Sequence, residues 1–600
     1  MTALPVLPGR GMALLDATVL LWLRLGAVLA LGLLLYVIHH WRIALPSFDA
    51  VDYHGFLARA IEGQWQWDVF WQLHNGVHRI PWPRLLWVLD LQWVDGQGWL
   101  VTAASALAVF ATVCVLWRQL GDTDGLTARE QRVFRWVLLL FLASPLMAEC
   151  LLNPINSQWS WMALGVVLLA RGVHLILLPQ TIWRGVCCGG VGGLLAWLNA
   201  APASVLLLAA GLSLAWCRCV SPARARQWLL WSALTVLLAV VSWECLAWRS
   251  DQPLLLAWLY QHWVAPADAA KVEPFIRQNA VVYVTWGLQR AVFMGQYLLL
   301  TLGKSGQPAW WLASVGVGVP CLLWWRMAQG PRHLAFWWCL CVFGWVMGVG
   351  AALFRFTPLY DYRHANIGFL VGFSVLVLLY SSVSAPVKWR VLQASVLLYV
   401  PVFLYAMAQE AGSWAWEGSS QIREQQIGAA VGVQDPARFA YVWKDDAAHS
   451  AAVEADRAVF RQHHKGIYAS AGYALFAGER ALPTQVVTCD YTVLDVRQHY
   501  PDPVAFRVRG RTQDAAGHAF GQALFLDATG TPVGWAAGQL ASDRWLTQWQ
   551  QPLGWGGHLR LRAATGTAAQ PVDIVAYDDG KRCQPHRIML PAATVTAVEQ

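Results

Sequence analysis

Two aspartates follow directly after the first long apolar segment of the chain. Asp49 and Asp52 are three residues apart, so on a helix their carboxylates share one face. Near a membrane surface a carboxylate is partly removed from water, which changes its pKa and suits it to accept a proton from a hydroxyl group. We interpret Asp49 or Asp52 as a candidate general base; the alternative is a pair of solvated loop acids.

Basic side chains continue the same loop. His54 adjoins the aspartates, His78 and Arg79 precede the segment 81–83, and Arg84 follows it. The planar fork of an arginine can donate two hydrogen bonds to one phosphate. We therefore interpret Arg79 and Arg84 as candidate phosphate contacts and His78 as a candidate substrate contact. The prolines at 81 and 83 predict an irregular segment in place of a regular helix.

The spacing of His74 and His78 would place two metal ligands on one face of a helix. A metal site needs a third ligand, and the sequence has no HExxH pattern. We predict no metal ligands in this loop, and a requirement for a divalent cation stays open.

Further polar residues lie at the ends of later apolar segments. Gln158 begins one such segment, and Arg355 and Arg363 flank a turn before another. Polar side chains beside lipid usually face the interior of a helix bundle and mark a functional site, although long ones can extend to the interface. We interpret Gln158, Arg355 and Arg363 as further candidate site residues.

The composition is that of a membrane protein. Of the 600 residues, 57% are hydrophobic and only 13% are charged, whereas soluble domains have about 25% charged residues. The 38 tryptophans fit side chains that prefer membrane interfaces. The net charge of +8 is spread in short groups between apolar segments, so we do not expect a nucleic-acid partner.

The apolar segments predict about eleven transmembrane helices, because one span needs about 20 mostly apolar residues. The first is too long for a cleavable signal peptide. Segment 281–302 carries a central arginine, and we interpret it as a re-entrant or interfacial helix. If it does not span the membrane, the basic groups between the apolar segments all lie on the cytoplasmic side. The amino terminus is then cytoplasmic and the carboxyl terminus outside. The predicted spans are 15–38, 98–117, 136–153, 157–176, 185–199, 201–217, 228–247, 308–325, 334–354, 364–385 and 391–408.

The sequence divides into three regions. Residues 1–410 form the membrane domain, with outer loops at 39–97 and 248–307; 411–483 form a helical connector; and 484–600 alternate like the strands of a β-sandwich. Cys489 and Cys583 are the only cysteines of the last region, and we expect them to form a disulfide in an oxidising compartment. Its tryptophans could bind sugar or fill its core.

This layout resembles the GT-C superfamily of membrane glycosyltransferases. The resemblance rests on Asp49 and Asp52 directly after the first helix, on the stretch 78–85 (HRIPWPRL), and on the turn that contains Arg363. It covers the whole chain as architecture and only short patches as sequence. It implies a bacterial enzyme of the inner membrane that moves a sugar from a polyprenyl-phosphate carrier, with inversion, to an extracytoplasmic glycan, lipid or protein. It also implies that Asp49 or Asp52 acts as the general base. The residues that would contact the phosphate or sugar of the donor are His54, His78, Arg79, Arg84, Gln158, Arg355 and Arg363.

Two other classes of protein remain alternatives. A transporter or flippase of lipid-linked saccharides often has internal repeats and broken helices at mid-membrane, and the sequence has no clear repeat. A non-catalytic scaffold for envelope assembly would act through its carboxy-terminal β-domain. Within the enzyme class, an O-antigen ligase or polymerase usually carries its key residues in a late loop, whereas here the first loop is richer.

Overall fold

The structure is a computed structural model. It describes residues 10–74, 78–178, 180–199, 334–343, 365–382, 388–415, 422–433, 450–499, 502, 504–538, 554–562 and 569–591. Several predicted features lie outside these residues: the spans 201–217, 228–247 and 308–325, the segment 281–302, the loop 248–307, and both Arg355 and Arg363.

The first third of the chain is helical. Its α-helices are α1 (Arg10–Trp41), α2 (His54–Ile61), α3 (Trp67–Trp71), α4 (Pro81–Trp93), α5 (Trp99–Gly121), α6 (Ala128–Leu142), α7 (Ala148–Leu152), α8 (Ser157–Ile176) and α9 (Ile182–Asn199). Short 3₁₀ helices precede α2 and α7, at Phe48–Tyr53 and Pro145–Met147. Later helices are α10 (Ala365–Ser382), α11 (Lys388–Ala415), α12 (Glu424–Val431), α13 (Ser450–Gln462) and α14 (Ala471–Phe476).

Among the described residues, three helices are long and apolar enough to cross a membrane: Asp16–His39, Trp99–Gly121 and Ser157–Ile176. A fourth span results if α6 and the segment Pro145–Leu152, which meet at a bend of 52°, are counted together. The predicted spans at 185–199, 364–385 and 391–408 coincide with the helices α9, α10 and α11. The chain is therefore mainly helical, with several helices suited to a membrane.

Helix α6 differs from the predicted span 136–153 at both ends. It begins at Ala128, because Thr127 accepts a hydrogen bond from the backbone N–H of Glu130 and the Glu130 carboxylate accepts one from the N–H of Thr127. It ends at Leu142, shortly before Pro145, since a proline cannot continue the backbone hydrogen bonds and disfavours helical geometry in the residue before it.

Glycines allow α8 and α9 to pack closely as a hairpin. A Cβ atom at Gly192 would lie 2.5 Å from the backbone oxygen of Gly165, and one at Gly172 would lie 2.6 Å from the Cα of Gly189. Any larger side chain would push the helices apart. This close approach of backbones is the usual way in which helices associate in membranes.

The carboxy-terminal strands form one nine-stranded sheet with the shape of a half-barrel. Its strands are β3 (Gln485–Val487), β4 (Cys489–Gln498), β5 (Ala505–Asp514), β6 (Gln522–Leu526), β7 (Pro532–Ala537), β8 (Gly554–Arg560), β9 (Gln570–Tyr577), β10 (Lys581–Cys583) and β11 (His586–Leu590). Their order in the sheet is β3-β10-β9-β6-β7-β8-β5-β4, and β11 pairs with β9. The sequence predicts a β-sandwich, whereas the described strands belong to a single sheet.

A separate hairpin in the first loop contains β1 (Leu73–His74) and β2 (His78–Arg79).

A disulfide joins Cys489, at the start of β4, to Cys583 in β10, and closes a separation of 94 residues. Trp535 and Trp555 are both buried in the sheet domain. Trp555 lies in the core of the sheet, and Trp535 lies in the cluster that the sheet shares with the first loop and the connector, so neither ring is available as a sugar platform. Trp545 and Trp549 lie outside the described residues.

The first loop, the connector and the sheet share one hydrophobic cluster. Trp87 of the loop, Ile427 of α12, Tyr473 of α14 and Trp535 of β7 all belong to it. The buried carboxylate of Glu424, at the start of α12, accepts two hydrogen bonds from Arg509 of β5, at 2.9 and 2.7 Å. The three regions therefore form one loop–sheet unit, in which residues far apart in sequence can build a common site.

Candidate functional site

The two aspartates of the first loop lie in the 3₁₀ helix Phe48–Tyr53, seven residues after the end of α1. Ala50 and Tyr53 are buried and anchor this turn, and Asp52 is exposed. The turn continues directly into α2, which begins at His54.

His54 is paired with an aspartate from the connector. Its Nδ1 lies 2.8 Å from Oδ2 of Asp456 in α13, although the two residues are 402 positions apart. Each side chain is one quarter exposed, so the pair is partly shielded from water and still accessible. The contact brings a residue that the sequence singled out next to one that it did not.

A cavity of about 40 Å³ lies beside this pair. Its polar lining consists of His54, Gln426, Arg457 and Tyr468, and its apolar lining of Leu45, Pro46, Ala429, Val453, Phe460 and Ile467. The space corresponds to roughly three water molecules. The cavity is thus a mostly apolar recess with a few hydrogen-bonding groups, at the junction of the first loop and the connector.

Fixed contacts hold the walls of the cavity. The side-chain amide of Gln426 donates hydrogen bonds to the backbone oxygens of Ala44 and Pro46, at 2.6 and 3.1 Å. Arg457 forms an ion pair with Glu454 one turn earlier in α13, and its Nε lies 3.4 Å from the hydroxyl oxygen of Tyr468. The cavity wall therefore does not depend on a ligand for its shape.

Arg84 is completely buried and serves the loop itself. Its Nη1 donates to the backbone oxygens of residues 69, 70 and 72, at 2.7–2.8 Å, and its Nη2 donates to the Tyr53 hydroxyl at 2.7 Å. Burial lowers the pKa of Arg84, and the neighbouring Tyr53 opposes this effect. Both terminal nitrogens are thus occupied by the chain, so Arg84 has the geometry of a residue that positions the turn carrying Asp52.

The residues around Arg84 correct one expectation. Pro81 and Pro83 do not interrupt a helix, because α4 begins at Pro81. The first turn of a helix has N–H groups without intrahelical partners, so prolines are tolerated there. The prediction of an irregular segment at 81–83 was therefore wrong.

The hairpin before α4 carries the other basic candidates. The backbone places His78 opposite His74 and Arg79 opposite Leu73. The buried ring of His74 lies 3.0 Å, through Nδ1, from the Tyr53 hydroxyl, which links the hairpin to Arg84. This chain of contacts connects the basic segment of the loop to the turn that holds the aspartates.

A buried carboxylate fixes the end of the same loop. Asp90 accepts hydrogen bonds from the backbone N–H groups of Gly98 and Leu100, at 2.7 and 2.6 Å, where the long apolar helix α5 begins. Burial raises the pKa of Asp90, and these donors together with Arg42 act in the opposite direction. Burial also lowers the pKa of Arg42 to about 10, and its guanidinium lies 3.3 Å from the centre of the Trp99 ring.

The remaining candidates lie elsewhere or outside the described residues. Gln158 is buried at the start of α8. It is not one of the described residues that line the cavity. Arg355 and Arg363 have no described position. In the described part of the chain, no three histidine, cysteine, aspartate or glutamate side chains lie close enough together to hold a metal ion.

The connector residues of the site, Gln426, Asp456, Arg457 and Tyr468, were not anticipated from the sequence. They lie in polar helical segments that look like ordinary solvated helices, and only the folded arrangement brings them to the first loop. Comparisons with known proteins found no matching family model, no similar curated protein and no similar solved structure.

Proposed function

We propose that this chain is a membrane glycosyltransferase that moves a sugar from a polyprenyl-phosphate carrier to an extracytoplasmic acceptor. The observation that carries the proposal is the arrangement of the first outer loop. It presents Asp52 in the 3₁₀ helix that follows the apolar helix α1, and the cavity beside His54 lies in the same loop–sheet unit. A site at this position suits a donor whose lipid tail stays in the membrane.

The proposed reaction is a displacement at the anomeric carbon. A carboxylate, Asp49 or Asp52, takes the proton from the acceptor hydroxyl as its oxygen forms a bond to C1. The bond between C1 and the phosphate oxygen breaks, and its electron pair leaves with the phosphate. The transition state resembles an oxocarbenium ion, and attack from the opposite face inverts the configuration.

Negative charge grows on the departing phosphate, and fixed cations stabilise it. The proposed cations that donate hydrogen bonds to this phosphate are Arg79, Arg355 and Arg363. His78 and Gln158 are proposed as further contacts. Arg84 takes a different part in the proposal: its buried hydrogen bonds hold the turn that carries the catalytic carboxylate. A divalent cation is not part of the scheme.

The proposal extends to the placement of the protein. We propose about eleven spans in the inner membrane, with the amino terminus cytoplasmic and the sheet domain outside. The long apolar helices support a membrane location, and the disulfide in the sheet domain suits an oxidising compartment. The acceptor is a glycan, a lipid or a protein, and it approaches from the side of the membrane on which the sheet domain lies.

The test compares surface glycans, by mass spectrometry, in source cells that carry the wild type, a deletion, or single variants. We expect the deletion to lose one sugar, and Asp49→Asn or Asp52→Asn to lower its transfer by about 100-fold or more. Asp68→Asn, an exposed acid in α3 of the same loop, serves as the matched control and leaves the glycan unchanged.

Two outcomes would contradict this scheme in different ways. If the deletion changes no surface glycan, the chain is not a glycosyltransferase. If the deletion removes a sugar but the double variant Asp49→Asn/Asp52→Asn retains it, neither aspartate is the general base. Uptake of a labelled lipid-linked saccharide into sealed vesicles would then show whether the chain is a flippase.

A further inference from the structure

The pair formed by His54 and Asp456 has a defined hydrogen-bonding polarity. An ionised carboxylate can only accept hydrogen bonds, so the Nδ1 that lies 2.8 Å from it must carry the hydrogen. In the neutral ring the other nitrogen, Nε2, then holds a lone pair and is an acceptor. A carboxylate that fixes the tautomer and direction of a histidine in this way is a common device in binding and catalytic sites.

The described side chains around the cavity carry no excess of positive charge. Arg457 is paired with Glu454, and Asp456 is occupied by His54. The cavity therefore lacks the excess of positive charge that would attract a phosphate. Hydrogen-bonding groups set among apolar side chains are instead typical of sites that bind neutral, polar molecules.

We propose that this cavity is an acceptor subsite for the hydroxyl-bearing edge of a neutral sugar. His54 accepts a hydrogen bond from a hydroxyl group through Nε2, and Asp456 of the connector is its positioning residue. The inference rests on the proposed function and sharpens it, because it moves His54 from the donor phosphate to the acceptor. The volume of about 40 Å³ suits a hydroxymethyl group or one edge of a ring, with the rest of the sugar outside.

The proposal gives the connector a direct part in substrate binding. The first loop supplies His54 and the carboxylates, and α13 supplies the residue that orients the histidine. The two elements are in contact through the pair itself and through the cavity lining. Acceptor recognition therefore needs the loop and the connector together.

The variants can separate binding from folding. The side-chain N–H of asparagine reproduces the position of Nδ1, so His54→Asn keeps the hydrogen bond to Asp456 and removes only the Nε2 acceptor. Asp456→Asn removes the charge and allows the ring to adopt the other tautomer, in which Nε2 becomes a donor. The control for the same substitution away from the cavity is His518→Asn, because His518 pairs with Asp578 through Nε2, at 2.7 Å, on the exposed surface of the sheet domain.

The experiment measures binding of methyl α-glucoside, methyl α-galactoside and methyl α-mannoside to the purified full-length chain in lipid nanodiscs, by saturation-transfer NMR. We expect at least one glycoside to bind the wild type and the His518→Asn control equally. His54→Asn and Asp456→Asn should weaken that binding by about tenfold or more. The thermal unfolding temperature of His54→Asn should match that of the wild type.

Three results would overturn the subsite: none of the three glycosides binds, His54→Asn binds as tightly as the wild type, or inorganic phosphate displaces the glycoside. None of these measurements involves sugar transfer. Failure of the subsite would therefore leave the glycan comparison in deletion cells as an independent test of the proposed function.

Discussion

One histidine–aspartate pair joins the first loop to the connector, another lies in the sheet domain, and the two pairs differ in their surroundings. His54 and Asp456 are each 25% exposed, join segments 402 residues apart and lie at a cavity. His518 and Asp578 are 48% and 32% exposed and lie on the surface of the sheet. The distances are nearly the same, 2.8 and 2.7 Å, although His54 uses Nδ1 and His518 uses Nε2. Burial and the neighbouring cavity are therefore the main differences between the pairs.

The exposed pair shows the usual behaviour of a surface contact. Burial acts to raise the pKa of Asp578, but backbone N–H groups of Gly580 and Lys581 and the ring of His518 together hold it below its ordinary value. Exposed ion pairs contribute at most about 1 kcal/mol. The pair at the cavity has the further property that its histidine can also face a ligand.

The same contrast extends to how the two regions are held together: the sheet domain has a covalent link, and the first loop depends on buried hydrogen bonds. Replacing both Cys489 and Cys583 by serine should destabilise the sheet domain by about 4–5 kcal/mol on the chain-entropy model for a loop of this length. The measurement is limited proteolysis of the full chain across a urea series. Cys187→Ser, at an exposed free cysteine, is the control.

An unchanged midpoint in the double serine variant would mean that the sheet is stable without its disulfide. The covalent and hydrogen-bonded regions would then differ in chemistry and not in stability.

The first loop should be nearly as sensitive at a single residue. Arg84→Met leaves three backbone oxygens and the Tyr53 hydroxyl without their donor in a buried position, so we expect a loss of about 3–5 kcal/mol. Thermal unfolding of the purified protein in detergent measures the effect. The control is Arg59→Met, an exposed arginine of α2 in the same loop.

If Arg84→Met unfolds at the wild-type temperature and lowers only sugar transfer, the residue acts on the donor phosphate and not on the loop. That result would favour the role that the sequence alone suggested for this arginine.

Arg84 illustrates what the sequence can and cannot provide. An arginine directly after two closely spaced prolines, near a long apolar segment, predicts a functional cation. Whether its fork meets a ligand or three carbonyl oxygens depends on the path of residues 69–72, which is a tertiary property. The helix at Pro81 is missed for a simpler reason: prolines break the interior of a helix, but these two stand in its first turn.

Other parts were accessible from residue types and spacing. Long apolar segments predicted helices such as α5 and α8, and the lone pair Cys489 and Cys583 predicted a link within the last region. Asp456 could not be anticipated in the same way, since nothing in an amphipathic segment such as 450–462 points to a partner 402 residues earlier. The number of sheets was also beyond reach, because alternation gives the strands but not their order.

The contact between connector and sheet offers an intermediate effect. Glu424→Gln removes the charge that faces Arg509 in a buried position and should cost about 2–3 kcal/mol. Burial raises the pKa of Glu424, and the neighbouring Arg509 opposes this effect. The side-chain oxygen of a glutamine can still accept one of the two hydrogen bonds from Arg509, so part of the contact remains. The measurement is the same thermal unfolding, with the exposed Glu62→Gln as control.

No loss of stability in Glu424→Gln would show that the connector is held on the sheet by its apolar contacts alone. The buried ion pair would then fix orientation without adding to the free energy of unfolding.

The smallest effect is expected at a surface pair of the sheet. Asp495 accepts hydrogen bonds from Arg507 at 2.6 Å and Arg497 at 3.0 Å; burial acts to raise its pKa, but these arginines lower it overall. A carboxyl with a lower pKa in the folded state stabilises the fold above its unfolded pKa, and this contribution disappears as pH falls through the folded value.

Asp495→Asn should therefore reduce stability by less than about 1 kcal/mol at pH 7, and the difference from the wild type should vanish as pH falls through the lowered pKa of Asp495. Urea unfolding at a series of pH values measures it, with Asp490→Asn, exposed on the same strand, as control. A difference that persists in acid would mean that the asparagine disturbs β4 itself. A difference that vanishes would show that this pair, unlike the one at the cavity, contributes only charge.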